Sequence, residues 1–205
     1  EVRNAVLLLF SLGFYGCGGW RLLPLILVSI TMNYVFGLLA APGRRRRKAA
    51  LVGAVACNLG LLFVFKYLGF VTANLHALIP AVPELTILLP IGISFYTFQI
   101  LSYVIDVYRG DAPAQRNLID LAAYIAMYPQ LVAGPIVRYA DVAPQLRSRT
   151  HTVQDAALGA RRFVLGLGKK VLLANVLYEL VTVYQQSGQK TVLLTWLYAG
   201  AYMLH

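Results

Sequence analysis

The chain contains few charged residues, and acidic residues are the rarer kind. Of its 205 residues, 13% are charged, only 8 are Asp or Glu, and 59% are apolar. A soluble domain usually has about 25% charged and about 45–50% apolar residues. One water-soluble core cannot bury this much apolar surface, so the composition predicts that lipid surrounds much of the chain.

Cysteine and histidine are also scarce. The chain has 2 Cys and 3 His, and their spacing matches no metal-ligand pattern. Cys17 and Cys57 are expected at different membrane depths, which favours two buried free thiols over a disulfide. The segment "GLGKK" (Gly166–Lys170) lacks the upstream Gly and the Ser/Thr of a phosphate-binding loop. We therefore expect no metal site and no bound cofactor.

Basic residues are plentiful instead, and they lie between apolar runs. The net charge is +10, which in a soluble protein would suggest nucleic acid as a partner. Here the clustering indicates the cytoplasmic side of a lipid bilayer, so we expect no nucleic-acid binding and place "RRRRK" (Arg44–Lys48) in the cytoplasm. The expected location is the inner (plasma) membrane, crossed several times.

Apolar segments long enough to span a membrane recur along the chain. No strand-like alternation competes with them, so the predicted fold class is all-α. We expect a polytopic integral membrane helical bundle that forms a single membrane domain over residues 1–205. The predicted spans are Asn4–Trp20, Leu22–Ala41, Ala49–Phe65, Leu89–Ile105, Val171–Val183 and Thr191–Leu204.

One further apolar segment, Leu118–Val137, is interrupted by proline. A complete crossing would place all of the following Arg and Lys residues outside the cell, against the positive-inside rule. Pro129 and the pair Gly134-Pro135 can break the helix, so we predict a re-entrant hairpin. Non-helical backbone at membrane depth is tolerated only where protein buries it or where it lines a watery cavity. The hairpin is therefore expected near a functional site.

The segment after the hairpin predicts an interfacial helix. Thr152 and Asp155 form a helix-start pattern, and apolar residues follow at steps of three and four. Arg162 and Lys169 lie on the other side of this helix. Two interpretations of these charges remain open: contact with phospholipid headgroups, or attraction of an anionic donor such as coenzyme A. The helix is then expected to turn into the membrane.

A polar stripe runs along the predicted span Leu89–Ile105 and just past its end. Polar residues recur there at steps of three and four, so they share one helical face and should avoid lipid. Two interpretations remain open. These groups hold helices together, with Asp106 pairing to Arg109 or Arg138, or they line a substrate tunnel. With residues around the hairpin added, the candidate tunnel set is Tyr96, Gln99, Tyr103, Asp106, Tyr128, Gln130 and Arg138.

Four segments of the chain carry a resemblance to a known family. They are "NYVFG" (Asn33–Gly37), "FKYLGF" (Phe65–Phe70), the long block from "LPIGISFYTFQ" to "ADVAPQL" (Leu89–Leu146), and "RRFVLGLGKKVLLAN" (Arg161–Asn175). In this order they resemble the N-terminal portion of the membrane-bound O-acyltransferase family, in its bacterial alginate O-acetyltransferase branch.

The resemblance implies an enzyme, an O-acyltransferase. Such a protein passes an acyl group, here expected to be acetyl, from a cytoplasmic thioester donor, acetyl-CoA, to a hydroxyl of an extracytoplasmic polysaccharide or similar acceptor. A tunnel joins the two sides, and a histidine near its middle is the proposed base. The branch also implies an extracytoplasmic partner protein with a serine-hydrolase-like fold.

The chain departs from the family at that histidine. An Arg-Arg-Trp-His type of tract is absent, as expected if the C-terminal catalytic part is missing. His76, His151 and His205 do not match the family's histidine, so no catalytic residue is assigned. The alternative function is a non-enzymatic transporter or channel for a small solute, with the polar stripe and the broken hairpin as its path.

Overall fold

The computed structural model describes residues 2–131, 134, 137–148, 152–188 and 191–204. Helices account for most of these residues and no strand occurs among them, which confirms the all-α prediction. Contacts divide the chain into two compact units, which we call unit 1 (Glu1–Arg149) and unit 2 (Thr150–His205). Each unit is described by itself.

Unit 1 begins with four helices. They are α1 (Val2–Gly19), α2 (Leu23–Ala40), α3 (Arg47–Leu62) and α4 (Leu68–Leu78), with a 3₁₀ turn (Trp20–Leu22) after α1 and a π-helical turn (Phe63–Tyr67) after α3. The stretches Val2–Ala40 and Arg47–Leu78 are long and apolar enough to cross a membrane. In the most apolar part of each stretch, only 28% and 22% of the residues are buried, whereas a core helix of a soluble protein would be mostly buried. The low burial favours lipid contact.

The second of these stretches extends further than its sequence predicts. We expected the span to end at Phe65. The helix instead continues past Lys66 through the π-helical turn Phe63–Tyr67, and Lys66 Nζ lies 3.4 Å from Ser94 Oγ. His76 lies in the last turn of α4, where its Nδ1 donates to the Val82 carbonyl at 2.6 Å.

The fifth helix, α5 (Ile93–Arg109), is bounded by two glycines. Gly92 and Gly110 have φ angles of 71° and 88°, the left-handed region that glycine enters at least cost. The Gly110 N–H donates to the Asp106 carbonyl at 3.0 Å and closes the helix. We predicted a helical span from Leu89, but the helix begins later because Gly92 turns the chain before it.

Three short helices follow in unit 1: α6 (Leu118–Ala126), α7 (Tyr128–Leu131) and α8 (Tyr139–Arg147). The Asn117 side chain caps α6 by accepting the Ile119 N–H at 2.9 Å. Met127, with ψ 114°, breaks the helix, and Pro129 lies in the first turn of α7, where a missing N–H costs little. The predicted interruption is therefore present. Pro135 lies outside the described residues, and the re-entrant path stays a prediction.

The centre of unit 1 is α5, which packs against α2, α3, α6 and α8, while α1 packs against α6 and α7. The α2–α5 contact is close at Gly37. A Cβ added there would lie 2.6 Å from Tyr103 Oη, so only glycine leaves room for this ring.

Unit 2 consists of α9 (Val153–Lys169), α10 (Asn175–Gln186) and α11 (Val192–Leu204), with a π-helical turn (Lys170–Ala174) between α9 and α10. Thr152 and Asp155 form a capping box at the start of α9, as predicted. We expected the chain to turn after α9. It stays helical to Gln186 instead, because the π-turn absorbs an extra residue without breaking the helix.

The two cysteines are free, as predicted, but their expected burial is wrong. Cys17 and Cys57 are both exposed. Their thiols belong to the apolar perimeter of unit 1.

Candidate functional site

The polar stripe of α5 lies inside unit 1. Tyr96, Gln99, Tyr103 and Asp106 are all buried, so the shared face that their spacing predicts is turned away from the perimeter. Phe95 and Phe98, on other faces, are exposed. The described structure places protein against the stripe at several points, and tunnel lining stays a prediction for these residues.

Gln99 forms a hydrogen bond to the backbone next to the break between α6 and α7. Its Nε2 donates to the Tyr124 carbonyl at 2.9 Å, and Gln130 Nε2 donates to the same oxygen at 2.7 Å. The helix ends at Ala126, so this carbonyl has no partner from a following turn of α6. Two buried amides supply it instead. The structure therefore brings together two residues of the candidate set, and their shared acceptor is a backbone atom that sequence reasoning did not identify.

Tyr103 is the second connection between α5 and its surroundings. Its Oη accepts the Gln115 N–H at 3.1 Å, which fixes the connection between α5 and α6. Its ring meets Tyr139 edge-on, with centroids 4.9 Å apart, and Tyr139 meets Tyr124 in the same way at 5.3 Å. Edge-to-face pairs add about 0.5–1.5 kcal/mol to the burial of their area.

Sequence reasoning missed two members of this aromatic cluster. Tyr124 lies in an apolar helix and Tyr139 begins a short polar one, so neither belongs to the α5 stripe. Tyr124 Oη donates to the Val137 carbonyl at 2.6 Å, 13 residues later in the chain. The available signal was the recurrence of tyrosine on both sides of the proline-rich segment.

Asp106 does not form the ion pair considered from the sequence. Arg109 pairs with Asp111 instead, at 4.0 Å, because the turn at Gly110 brings Asp111 back toward the helix end. Arg138 is exposed. Among the described residues, Asp106 Oδ2 is buried and has no hydrogen-bond partner.

The candidate residues near the predicted hairpin differ in their exposure. Gln130 is buried beside Gln99, whereas Tyr128 is 50% exposed and lies against Phe14, with ring centroids 6.0 Å apart. The structure thus brings five of the seven predicted residues inside unit 1 and leaves Tyr128 and Arg138 at its surface.

Further buried polar pairs join other helices of unit 1. Asn33 on α2 and Asn58 on α3 exchange hydrogen bonds through their side-chain amides, at 3.1 and 2.7 Å. Asn4 on α1 donates to Asp120 at 2.7 Å and to the Leu146 carbonyl at 2.9 Å. Their partners are far apart in sequence, so spacing along the chain gave no signal for them.

His76 is the one histidine within the described residues. Its hydrogen bond to Val82 holds the end of α4 against the following loop, and no nucleophile or carboxylate in the described part is bonded to its ring. His151 and His205 lie outside the described residues.

Comparison with known proteins finds relatives whose names describe O-acetylation. It is 46% identical over 188 residues to a Pseudomonas aeruginosa protein named probable alginate O-acetylase AlgI, covering 87% of this chain and 36% of the relative. An Azotobacter vinelandii protein of the same name is 44% identical over 185 residues, covering 85% of the chain and 37% of the relative.

A more distant relative is named for a different polymer. The peptidoglycan O-acetyltransferase of Helicobacter pylori is 32% identical over 200 residues, covering 82% of this chain and 38% of the relative. The chain spans just over a third of the length of these curated relatives. No protein-family model matches it, and no solved structure matches it significantly.

Proposed function

The chain belongs to the membrane-bound O-acyltransferase family, in its alginate O-acetylase branch, and from this premise we propose that it is part of an enzyme that transfers acetyl groups to hydroxyl groups. The observation that carries the proposal is the 46% identity to an alginate O-acetylase, sustained over 87% of this chain. At this level of identity, we expect the segment to have the same role in this protein as the matching segment has in the relative.

We propose that unit 1 spans the inner membrane several times, with Arg44–Lys48 on the cytoplasmic side. Its exposed large apolar side chains support this placement, since they form a perimeter suited to lipid. The buried amide pairs support it too, because polar groups in a bundle face other helices. The interrupted α6–α7 segment is then the re-entrant hairpin, buried by α1 and α5.

The proposed reaction moves an acetyl group from a thioester, acetyl-CoA, to a hydroxyl of an extracytoplasmic polysaccharide. The hydroxyl oxygen attacks the thioester carbonyl, the new C–O bond forms, and the C–S bond breaks. A base takes the hydroxyl proton, and the thiolate leaves and is protonated. A serine-hydrolase-like partner outside the membrane is proposed to complete delivery in this branch.

The described residues would position this chemistry rather than perform it. Gln99 and Gln130 hold the Tyr124 carbonyl, and Tyr103 holds the loop at Gln115, so α5 fixes both flanks of α6. We propose that the buried side of α5 borders the substrate path, with Tyr96 and Asp106 facing it. A fixed path excludes bulk water and limits wasteful thioester hydrolysis.

The test uses membranes that contain the intact protein with its partner, labelled acetyl-CoA, and alginate as acceptor. We expect label in the polysaccharide. Gln99→Leu should lower the rate while the protein remains inserted, and Phe98→Leu, a change on the exposed side of the same helix, should leave it intact. No label in alginate, under conditions where the Pseudomonas aeruginosa relative transfers it, would overturn the proposal.

A further inference from the structure

Three arginines meet at one cavity of unit 1 that the proposed transfer does not use. The cavity has a volume of about 480 Å³ and is lined by Leu38, Ala41, Pro42, Arg44, Pro113, Ala114, Arg116 and Arg147. We propose that it is a binding pocket for a phosphate-bearing anion. The proposal concerns binding alone and does not depend on the transfer reaction.

The charge of the cavity lining is the first argument. Three guanidinium groups and no carboxylate line it. Within the described part of the chain, none of these three groups makes an ion pair. Asp111 lines an adjoining cavity with Arg147, but it pairs with Arg109. The positive charge is therefore available to a ligand.

The contrast with Arg47 shows that this is not a general property of the basic run. The Arg47 guanidinium donates to the Tyr108 carbonyl and lies 4.5 Å from the centroid of the Tyr108 ring. It is engaged in holding α3 against α5. Arg44, three residues earlier, faces the cavity instead.

The backbone that carries these arginines is held in place. The Tyr34 hydroxyl donates to the Arg116 carbonyl at 2.7 Å, and Tyr103 fixes the preceding Gln115 N–H. The Arg44 N–H donates to the Ala41 carbonyl at 3.3 Å in a tight turn, where Gly43 has φ 82°. Pre-positioned charges lose less entropy on binding than charges on a mobile loop.

The number and kind of the cations identify the ligand chemistry. A carboxylate is satisfied by one arginine, whereas a phosphate has enough oxygens to accept hydrogen bonds from several guanidinium groups at once. The volume also accommodates a phosphodiester or a pyrophosphate group. Two sources carry this chemistry: an anionic phospholipid headgroup and a soluble phosphorylated molecule.

The experiment measures binding to the intact protein purified in an uncharged detergent. One arm titrates inorganic pyrophosphate by calorimetry, and the other measures retention of phosphatidylglycerol by native mass spectrometry. We expect binding in at least one arm, and the arm that binds identifies the source. Absence of binding in both arms would overturn the proposal.

Variants separate this pocket from overall charge. The double variant Arg116→Gln/Arg147→Gln should weaken binding at least about tenfold, the loss expected for one or two charged hydrogen bonds. The matched control Arg45→Gln/Arg46→Gln removes the same charge from exposed positions that do not line the cavity, and binding should change less than about twofold. Equal losses in the two variants would contradict the pocket.

A further variant tests the pocket without removing an arginine. Ala114→Glu places a carboxylate in the cavity wall, where it should pair with the arginines and compete with the anion. We expect a loss of at least about tenfold. Unchanged affinity in a protein with the unaltered unfolding temperature would overturn the proposal, even if the double arginine variant failed to fold.

Discussion

Helices α5 and α9 each contain 17 residues, and they meet opposite environments. Ten residues of α5 are buried, and they include Thr97, Gln99 and Asp106, whereas no residue of α9 is buried. α5 is held by side chains of other helices, through Gln99 and Tyr103. α9 is held at its start by its own capping box.

The comparison separates two properties that periodicity does not distinguish. Regular spacing shows which residues share a face, and the buried stripe of α5 confirms this for Tyr96, Gln99, Tyr103 and Asp106. It does not show what covers that face. On α5 the polar side is buried by protein, and on α9 the apolar side chains, such as Phe163 and Leu165, remain exposed. Exposed apolar surface of this kind marks a contact with lipid or with another protein.

The largest expected effect comes from Gly37→Ala, which tests how tightly α5 is enclosed. The new methyl group would overlap the Tyr103 ring, which is fully buried and held by Gln115, so the ring cannot move away. We expect a loss of about 2–3 kcal/mol in the free energy of unfolding, measured in detergent. In the control Gly60→Ala the added Cβ meets open space, and stability should hold or rise.

Gln99→Leu tests the polar side of α5 with a smaller effect. It removes one of two donors to the Tyr124 carbonyl and should cost about 1–2 kcal/mol in the free energy of unfolding. Gln154→Leu makes the same change at an exposed position of α9, where we expect less than about 0.5 kcal/mol. Similar values for both variants would remove the distinction between the helices.

Thr152→Ala tests the claim that α9 is held by its own residues. The Thr152 hydroxyl accepts the Asp155 N–H at 3.1 Å, and its loss should cost about 1 kcal/mol, confined to the first turn. Hydrogen exchange at the Asp155 amide should rise accordingly. Thr182→Ala, in the middle of a helix, is the control and should leave that exchange rate unchanged.

Phe163→Ser should have the smallest effect. The side chain is 68% exposed, so its removal leaves no cavity in unit 2, and the free energy of unfolding in detergent should change by less than about 0.5 kcal/mol. A loss as large as that of Gly37→Ala would mean that other parts of the protein cover this face.

Much of the fold could be predicted because local chemistry determines it. The apolar runs predicted helices, Pro129 predicted the interruption near Met127, and Thr152 with Asp155 predicted the start of α9. The end of the helical stretch Arg47–Leu78 could not be predicted in this way. A lysine normally marks the end of a span, but the helix continues past Lys66, whose Nζ lies near Ser94, 28 residues away.

The candidate site could be predicted only in part, for a similar reason. Spacing placed Tyr96, Gln99, Tyr103 and Asp106 on one face, and that face is buried. Their partners depend on how the chain returns to α5 after long separations. The Tyr124 carbonyl is 25 residues from Gln99, and nothing in the sequence of either segment identifies the other.

The π-helical turns have a consequence for the direction of side chains beyond them. One extra residue in a turn rotates everything that follows by about 100° around the helix axis. The row of apolar side chains that starts at Val153 is therefore rotated around the helix axis at Lys170–Ala174. The side chains of α10 point in directions rotated by the same angle. Because of this single inserted residue, a continuous helix can turn its apolar side in different directions along its length. Its two ends can then contact different surroundings without a loop between them.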